Sequence, residues 1–347
     1  MATRQDTTEE IVKDFSVLQR TGESALVDLS IFERLKERLF LFIATMGIDL
    51  VFLLFMTALL VGAIVTLDGS IRVFQASVGL PLGIMAAVII MKSIQSPRKF
   101  ATNVPLILRD WVPFLFIAFI YENLHDVAGR FMHYDIADLM YKWDVLIFGV
   151  EPTIWAQKLY SPWLTDIMAA DYALYFALPL AIMFFLSLSG QRRDFRRMVL
   201  CLSFVFMMGF VCYVLFPCSP PRYFITEMYT NPHQLKGLFL FNRLQGMLDG
   251  FSVIKGGAFP SLHVGISAVA LIYAYRFRNR SGLNKFIWFL YMPLVTGLWF
   301  STVYLRHHWV VDIIAGLMVT LISYFLADWL LHLWERLRRR YSLPLID

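Results

Sequence analysis

Two histidine motifs, far apart in the chain, carry residue types that can move phosphate. GGAFPSLHVG at residues 256–265 contains His263, and STVYLRHHWVVD at residues 301–312 contains His308 and Asp312. His308 and Asp312 are four residues apart, so on a helix the carboxylate can accept a hydrogen bond from one imidazole nitrogen while the other points outward. A second imidazole can protonate a leaving oxygen. The motifs predict phosphoryl transfer with His308 as nucleophile and His263 as proton donor.

The residues before His263 predict an anion site at the start of a helix. Pro260 at a helix start costs nothing, because the first amides of a helix have no partner within it. The amides of Ser261 and its neighbours would then be free to attract phosphate. The alternative is a histidine at the level of the lipid headgroups that only hydrogen-bonds lipid or water.

Basic and polar neighbours could complete a phosphate site. Arg222, in CSPPRYF, could hold phosphate oxygens in bidentate fashion, unless it is an ordinary interfacial arginine. Arg306 is a second possible clamp, and Tyr223 is included as a further phosphate-binding candidate. The ring of His307 would point about 100° away from the face of His308, so we assign it a lesser, phosphate-binding role.

The composition predicts an all-α, polytopic membrane helix bundle. Of 347 residues, 58% are hydrophobic and 16% aromatic, and the mean hydropathy of +0.61 is too high for a soluble domain of this size. Eight apolar stretches approach the length that crosses about 30 Å of hydrocarbon. They are residues 39–67, 73–91, 104–121, 167–188, 198–216, 262–277, 286–303 and 309–333.

Charge predicts the orientation of this bundle. Most Lys and Arg residues fall in the N-terminal segment, in alternate loops and in the C-terminal tail, so both termini should be cytoplasmic. The histidine motifs and Arg222 then lie together at the non-cytoplasmic, periplasmic or lumenal, ends of the fifth, sixth and eighth spans. The net charge of +5 suits loops that face anionic lipid, and we expect no nucleic-acid partner. Three cysteines imply no disulfide framework.

The chain divides into four segments without repeats or soluble domains. Residues 1–38 should form a cytoplasmic segment with an amphipathic helix at the membrane surface. Residues 39–121 hold the first three spans, and residues 122–335 form the core with two outer loops, at about 122–165 and 218–259. Residues 336–347 form a basic cytoplasmic tail.

These motifs resemble those of the type 2 phosphatidic acid phosphatase superfamily and, within it, the inositol phosphorylceramide synthase branch. The resemblance covers residues 135–317. The Pro-Ser-x-His motif is similar to residues 260–263, and the last motif, Ser-Arg-x5-His-x3-Asp, is similar to residues 301–312 with Ser301, His308 and Asp312. DxxxFGxxP at residues 144–152 is similar to the wider inositol-phosphotransferase-like group.

The resemblance implies roles for individual residues. His308 would attack phosphorus and become phosphorylated, Asp312 would orient it, and His263 would protonate the departing alcohol. Ser261 and Arg222 would hold the phosphoryl oxygens, and Ser301 joins this set through its motif.

Two positions depart from the superfamily pattern. Thr302 stands where the last motif has arginine, as it also does in the synthase branch, and Leu215 stands where the first motif has lysine if Arg222 is that motif's arginine. Arg306 is then the first candidate to supply the missing cation.

The preferred function is a lipid phosphotransferase that moves a headgroup phosphate, such as phosphoinositol, from a glycerophospholipid to a lipid hydroxyl such as that of ceramide. The alternative is a lipid phosphatase that uses the same site with water as acceptor. A third hypothesis is a transporter or lipid-binding scaffold in which Asp49, Asp110 and Asp171 form a polar pathway. The chain lacks an Asp-rich run suited to divalent ions, so we expect no metal or other cofactor.

Overall fold

The computed structural model describes residues 31–46, 134–230, 234–244 and 257–343, with isolated residues between 48 and 117. Regular structure in these ranges is helical, apart from one isolated bridge between Cys218 and Gly257. The helices are α1 Ile31–Met46, α2 Ala137–Phe148, α3 Pro152–Ala156, α4 Pro162–Ala173, α5 Ala177–Leu188, α6 Arg192–Leu215, α7 Pro221–Phe224, α8 Leu262–Phe277, α9 Gly282–Tyr304 and α10 Val310–Arg340. The predicted all-α class is confirmed for this part of the chain.

Three of these helices, α6, α9 and α10, are long and apolar enough to cross a membrane, and the bent pair α4 and α5 passes the same test together. They correspond to the predicted fifth, seventh, eighth and fourth spans. The predicted sixth span, α8, has 16 residues, or about 24 Å, which is shorter than a hydrocarbon core. Most of residues 39–121 lies outside the described ranges, so the eight-span count and the orientation stay predictions.

The fourth predicted span is divided into two helices. Ser161 caps the start of α4 by accepting a hydrogen bond from the amide of Leu164, and α4 and α5 meet at an angle of 41°. Pro179 explains the break, because its ring lacks an N–H and would clash with the carbonyl four residues earlier, at Tyr175. Because of this bend, α4 runs in a different direction from α5 and passes beside the histidine motifs.

Helix α8 is the centre of the bundle. It packs against α5, α6, α9 and α10, and it is apolar around much of its circumference, as expected of a fully surrounded helix. Gly316 on α10 permits the closest approach, since a Cβ there would meet the carbonyl oxygen of Ser261 at 2.5 Å. Small residues allow helix backbones to approach in this way, and here they bring the start of α8 to the start of α10.

Ion pairs lie at the end of the bundle away from the starts of α8 and α10. Arg196, near the start of α6, pairs with Asp49, and Arg192 pairs with Asp110. The transporter hypothesis placed Asp49 and Asp110 with Asp171 in one polar pathway. The structure instead binds these two acids to arginines, while Asp171 contacts α9 near Gly297. The arrangement does not favour a shared pathway.

At the same end of the bundle, α1 contacts α10. Trp334 donates a hydrogen bond to the carbonyl of Ile43, and Arg338 donates one to the carbonyl of Ala44. The last residues of the predicted N-terminal segment begin α1, whose residues Ile31 and Phe32 are largely exposed. Its membrane-surface role stays a prediction.

Candidate active site

The three residues predicted to carry the chemistry lie together. Nδ1 of His263 is 3.2 Å from Nε2 of His308, and Nδ1 of His308 is 3.4 Å from Oδ2 of Asp312. The same Oδ2 accepts a hydrogen bond from the amide of Trp309 at 3.0 Å. Asp312 and His308 are buried. A carboxylate, an imidazole and a second imidazole thus form one chain of polar contacts.

A tight turn between α9 and α10 carries His308 into this position. The amide of Arg306 donates to the carbonyl of Val303, and the amides of His307 and His308 both donate to the carbonyl of Thr302. This is the hydrogen-bond pattern of a Schellman motif, which usually has glycine at its left-handed residue. Here that residue is Arg306, with φ of 64°, which is uncommon for a residue with a side chain.

Ser261 uses its polar groups to join α8 to α10. Its hydroxyl accepts from the amide of Val264 at 3.4 Å, and its own amide donates to the carbonyl of Asp312 at 3.0 Å. The expectation that this amide is free for phosphate is therefore wrong. Helix α8 begins at Leu262 with Ser261 as N-cap, so Pro260 precedes the helix rather than starting it.

Arg222 is placed near the histidines. Its amide donates to the carbonyl of Arg306 at 3.0 Å, which ties α7 to the turn between α9 and α10. Its guanidinium lies over the ring of Tyr223 at 4.6 Å. The positive charge of Arg222, together with burial as the larger cause, helps to hold the pKa of His307 well below its usual value. Tyr223 is 48% exposed and supports Arg222.

Arg306 points into a different polar cluster. Its guanidinium lies 3.6 Å from the centre of the Tyr229 ring. The hydroxyl of Tyr229 is 2.6 Å from that of Thr153, which donates to Oε2 of Glu151 at 2.6 Å. Burial raises the pKa of Glu151, and the nearby charge of Arg306 acts against this shift. The left-handed backbone at Arg306 sends its side chain to this cluster, whereas the expected position was on the phosphoryl group.

Ser301 does not join the histidine pair. Its hydroxyl donates to the carbonyl of Leu298 at 2.7 Å within α9, and its carbonyl accepts from the amide of Leu305. Its contacts stabilise the end of α9, just before the turn that positions His308.

Two tyrosines beside the site were missed by the sequence interpretation. Tyr172 stacks on His263 and on His307, with 4.6 Å between ring centres in both pairs. Tyr175 contacts His263 at 4.3 Å. Tyr172 and Tyr175 are three residues apart in an apolar run, a spacing that shows they are near each other but not which helix they face.

Asp144 was also missed as a site-forming residue, although its DxxxFGxxP motif was recognised. Its two carboxylate oxygens accept hydrogen bonds from the amides of Val310 and Val311 at 2.8 and 2.9 Å. These amides begin α10, where a negative charge also complements the helix dipole. Burial raises the pKa of Asp144 to about 7, and the two backbone hydrogen bonds oppose that shift. Asp144 therefore anchors the helix that carries Asp312.

The relatives found by comparison with known proteins are named as synthases of phosphoinositol-bearing ceramides. The phosphoinositol dihydroceramide synthase of Bacteroides thetaiotaomicron is 28% identical over 166 residues, which cover 44% of this chain and 52% of that protein. The inositol phosphorylceramide synthase of Candida albicans is 30% identical over 164 residues, covering 43% and 32%. The catalytic subunit of inositol phosphorylceramide synthase from Saccharomyces cerevisiae is 32% identical over 133 residues, covering 34% and 30%.

The matched region spans about half of the bacterial relative and about a third of each fungal one. No solved structure matches this chain. The model of the PAP2 superfamily matches residues 142–326, which is more than half of the 347 residues and contains Arg222, His263, His308 and Asp312. The chain belongs to the PAP2 superfamily, on its inositol phosphorylceramide synthase-like branch.

Proposed function

We propose that the protein is a membrane lipid phosphotransferase that moves phosphoinositol from a glycerophospholipid to the hydroxyl of a ceramide-like lipid. The observation that carries this proposal is the polar chain from Asp312 through His308 to His263. An imidazole held by a carboxylate at Nδ1 presents Nε2 as a nucleophile. The relatives named as synthases of phosphoinositol-bearing ceramides supply the donor and acceptor classes.

The reaction would take two displacements. In the first, Nε2 of His308 forms a bond to phosphorus, the bond from phosphorus to the diacylglycerol oxygen breaks, and His263 gives its proton to that oxygen. In the second, the acceptor hydroxyl attacks phosphorus, the bond to Nε2 breaks, and the hydroxyl proton passes to His263. Arg222 would stabilise the negative phosphoryl oxygens.

The direct contact between the imidazoles has a consequence for this sequence of steps. A separation of 3.2 Å between Nδ1 of His263 and Nε2 of His308 leaves no room for a phosphoryl group and a leaving oxygen between them. Phosphate binding must therefore move the two rings apart. Tyr172, which stacks on His263, provides a flat surface along which that ring can slide.

The test is to incubate the purified protein with phosphatidylinositol labelled in its headgroup, with and without ceramide. The proposal expects a labelled lipid product that requires ceramide and that disappears in the His308→Ala variant. Label found only in water-soluble product would mean that water accepts the headgroup phosphate, and this would reject the transferase. Retained turnover in His308→Ala would remove that residue as nucleophile.

We propose that the site faces the non-cytoplasmic side, because the basic residues of the chain gather at the other end. Lys236 and Asn279 are both exposed, and they lie in segments assigned to opposite sides. In sealed vesicles, a membrane-impermeant thiol reagent should label Lys236→Cys only from the non-cytoplasmic side and Asn279→Cys only from the cytoplasmic side. Cys201 and Cys218 are buried and give little background, whereas Cys212 is only partly buried and is replaced by serine in both variants. The reverse pattern would overturn the orientation.

A further inference from the structure

Two tyrosine rings, from the end of α4 and from the bend that follows it, contact the imidazole of His263. Tyr172 stacks on this imidazole with 4.6 Å between ring centres and an angle of 27° between the planes. Tyr175 contacts it at 4.3 Å and 47°. The amide of Tyr175 donates a hydrogen bond to the carbonyl of Tyr172, so both side chains come from one turn of backbone. Both rings therefore lie against the same imidazole.

The ring of Tyr172 is fixed by its other neighbours. It is buried in a cluster that includes Met168, Phe241 and Leu305. The imidazole of His307 also stacks on it, with 4.6 Å between ring centres and 17° between the planes. A side chain that is already held by packing loses little further freedom when a partner uses it. Tyr172 thus presents a preformed surface to His263.

The proposed acid role requires a positive charge on His263. A neutral imidazole is a very weak acid, so the ring must carry its second proton before it can protonate a leaving oxygen. Its surroundings oppose that charge. The ring is only partly exposed, which disfavours an ion, and the second imidazole, of His308, lies 3.2 Å away. Another group must therefore favour the cation.

The other ionisable groups near His263 do not provide this stabilisation. They are His308 and Asp312 around the start of α10, His307 in the turn after α9, and Arg222 on α7. The carboxylate of Asp312 faces His308, and a cationic Arg222 repels a further positive charge. Helix α5 has no acidic or basic residue, and those of α6 and α9 lie in their first two turns, at the other end of the bundle. Within the described ranges, the tyrosine rings are the groups placed to stabilise the charge.

The faces of aromatic rings can supply this stabilisation. The π system of a tyrosine gives its ring a negative face, and a cation that lies over this face is attracted to it. A neutral imidazole gains less from the same face, so stacking favours the protonated form. Two such rings act on His263 at once.

We infer that Tyr172 and Tyr175 form an aromatic clamp that stabilises the protonated form of His263. They are positioning residues, because they act through His263. The inference rests on the proposed function. In its first displacement, Nε2 of His308 bonds to phosphorus, the bond from phosphorus to the diacylglycerol oxygen breaks, and His263 gives its proton to that oxygen. The clamp stabilises the cation again when the acceptor hydroxyl returns a proton to His263.

The test measures how the single-turnover release of diacylglycerol from labelled phosphatidylinositol depends on pH. The rate should fall at alkaline pH as His263 loses its proton. Tyr172→Leu and Tyr175→Leu each remove one aromatic face and should move this fall to lower pH by about half to one unit. Tyr172→Phe and Tyr175→Phe keep the ring and should keep the wild-type position. A structural role alone would lower the rate at every pH and leave the position of the fall unchanged.

Phe206→Leu is a matched control for the loss of a buried ring. Phe206 is buried in α6 and contacts the rings of Phe176 and Phe210. Its leucine variant should keep the wild-type pH dependence. An unmoved fall in both Tyr172→Leu and Tyr175→Leu would overturn the clamp. An equal shift in Phe206→Leu or in the two phenylalanine variants would also overturn it.

Rings of nearly unchanged shape extend the test to the case in which a leucine variant fails to fold. Phenylalanines with increasing numbers of ring fluorines at position 175 keep the shape of the side chain and withdraw charge from its face. The fall should move to lower pH with each added fluorine, and a constant position would contradict the clamp. A wild-type protein that releases diacylglycerol but transfers no headgroup to ceramide would reject the proposed function, while the measured shifts would still decide on the clamp. Release of no diacylglycerol would reject both.

Discussion

Nδ1 of His263 lies 3.2 Å from Nε2 of His308, while Nδ1 of His308 faces the carboxylate of Asp312. The carboxylate can only accept a hydrogen bond, so it fixes the proton of His308 on Nδ1. Nε2 then holds a lone pair, and the proton shared with His263 belongs to Nδ1 of His263. This assignment, made from the hydrogen-bond network, suits the proposed mechanism, in which Nε2 of His308 is the nucleophilic atom and His263 is the proton donor.

The acid role of His263 predicts a dependence on the leaving group. His263→Ala should slow donors with an ordinary alkyl alcohol by about 10²–10⁴-fold, which is the usual contribution of general acid catalysis. Donors with an activated leaving group, such as nitrophenol, need little protonation and should lose much less. The measurement is the single-turnover rate of headgroup release from both donors. Equal losses would argue against the acid role.

We expect a substitution of Asp144 to affect the active site through the start of α10. Asp144→Ala removes two buried hydrogen bonds at the start of α10 and should destabilise the protein by about 2–4 kcal/mol. Turnover should also fall, because His308 and Asp312 adjoin those amides.

Asp138→Ala is a matched control for this change. It makes the same substitution on the same helix but affects only an exposed ion pair with Lys142, worth about 0–1 kcal/mol. Thermal unfolding in detergent and turnover measure both variants. Equal behaviour of Asp138→Ala and Asp144→Ala would contradict the anchoring role.

The left-handed backbone of Arg306 predicts that its glycine variant is more stable than its alanine variant. Arg306→Gly and Arg306→Ala lose the same contact with Tyr229, but only glycine adopts φ of 64° without strain. The glycine variant should therefore be more stable than the alanine variant by about 1 kcal/mol.

The neighbouring residue gives the control for Arg306. Leu305 has φ of −79°, where alanine is the better residue, so Leu305→Ala should be more stable than Leu305→Gly. Denaturant or thermal unfolding of the four variants measures both differences. The same order at both positions would contradict the left-handed turn.

The lowered pKa of His307 predicts a dependence of stability on pH. In the unfolded chain this histidine takes up a proton as the pH falls through its model value of 6.5, while in the folded protein it stays neutral. The unfolded state then binds more protons, so stability is lost as the pH falls below 6.5, with a slope that approaches about 1.4 kcal/mol per pH unit.

His307→Asn lacks this titration. Between about pH 7.5 and 5.5, the free energy of unfolding of the wild-type protein should therefore fall faster than that of the variant, by the linkage relation. Unfolding curves at several pH values measure the difference. Parallel pH profiles of the two proteins would show that the folded His307 binds a proton as readily as the unfolded one.

The parts of the site that could be predicted are residues close together in the sequence and residues that carry the two histidine motifs. His308 lies two residues before the first residue of α10 and Asp312 lies in the first turn of that helix, so their spacing of four residues predicted the contact although His308 is not itself helical. The predicted start of the last span at 309 is one residue from the observed start of α10. The contact of His263 with His308 followed from the expectation that both motifs stand at one membrane face. The comparisons confirmed the family to which these motifs pointed.

The parts that could not be predicted depend on contacts between elements. Arg306 adopts a left-handed backbone that glycine usually occupies, and this directs its side chain to Tyr229. Tyr172 reaches the histidines because α4 bends away from α5. Asp144 caps a helix that begins more than 160 residues later. Periodicity and spacing describe one helix at a time, so they carry no information about such partners.

The most direct test of the central claim is to trap the phosphorylated enzyme. The wild-type protein, mixed with phosphatidylinositol labelled at phosphorus and quenched within one turnover without acceptor, should carry an acid-labile label on His308. Addition of ceramide should move that label to a lipid product, and His308→Ala should carry none. An unlabelled enzyme that still transfers the headgroup, or a label that persists in His308→Ala, would contradict transfer through His308.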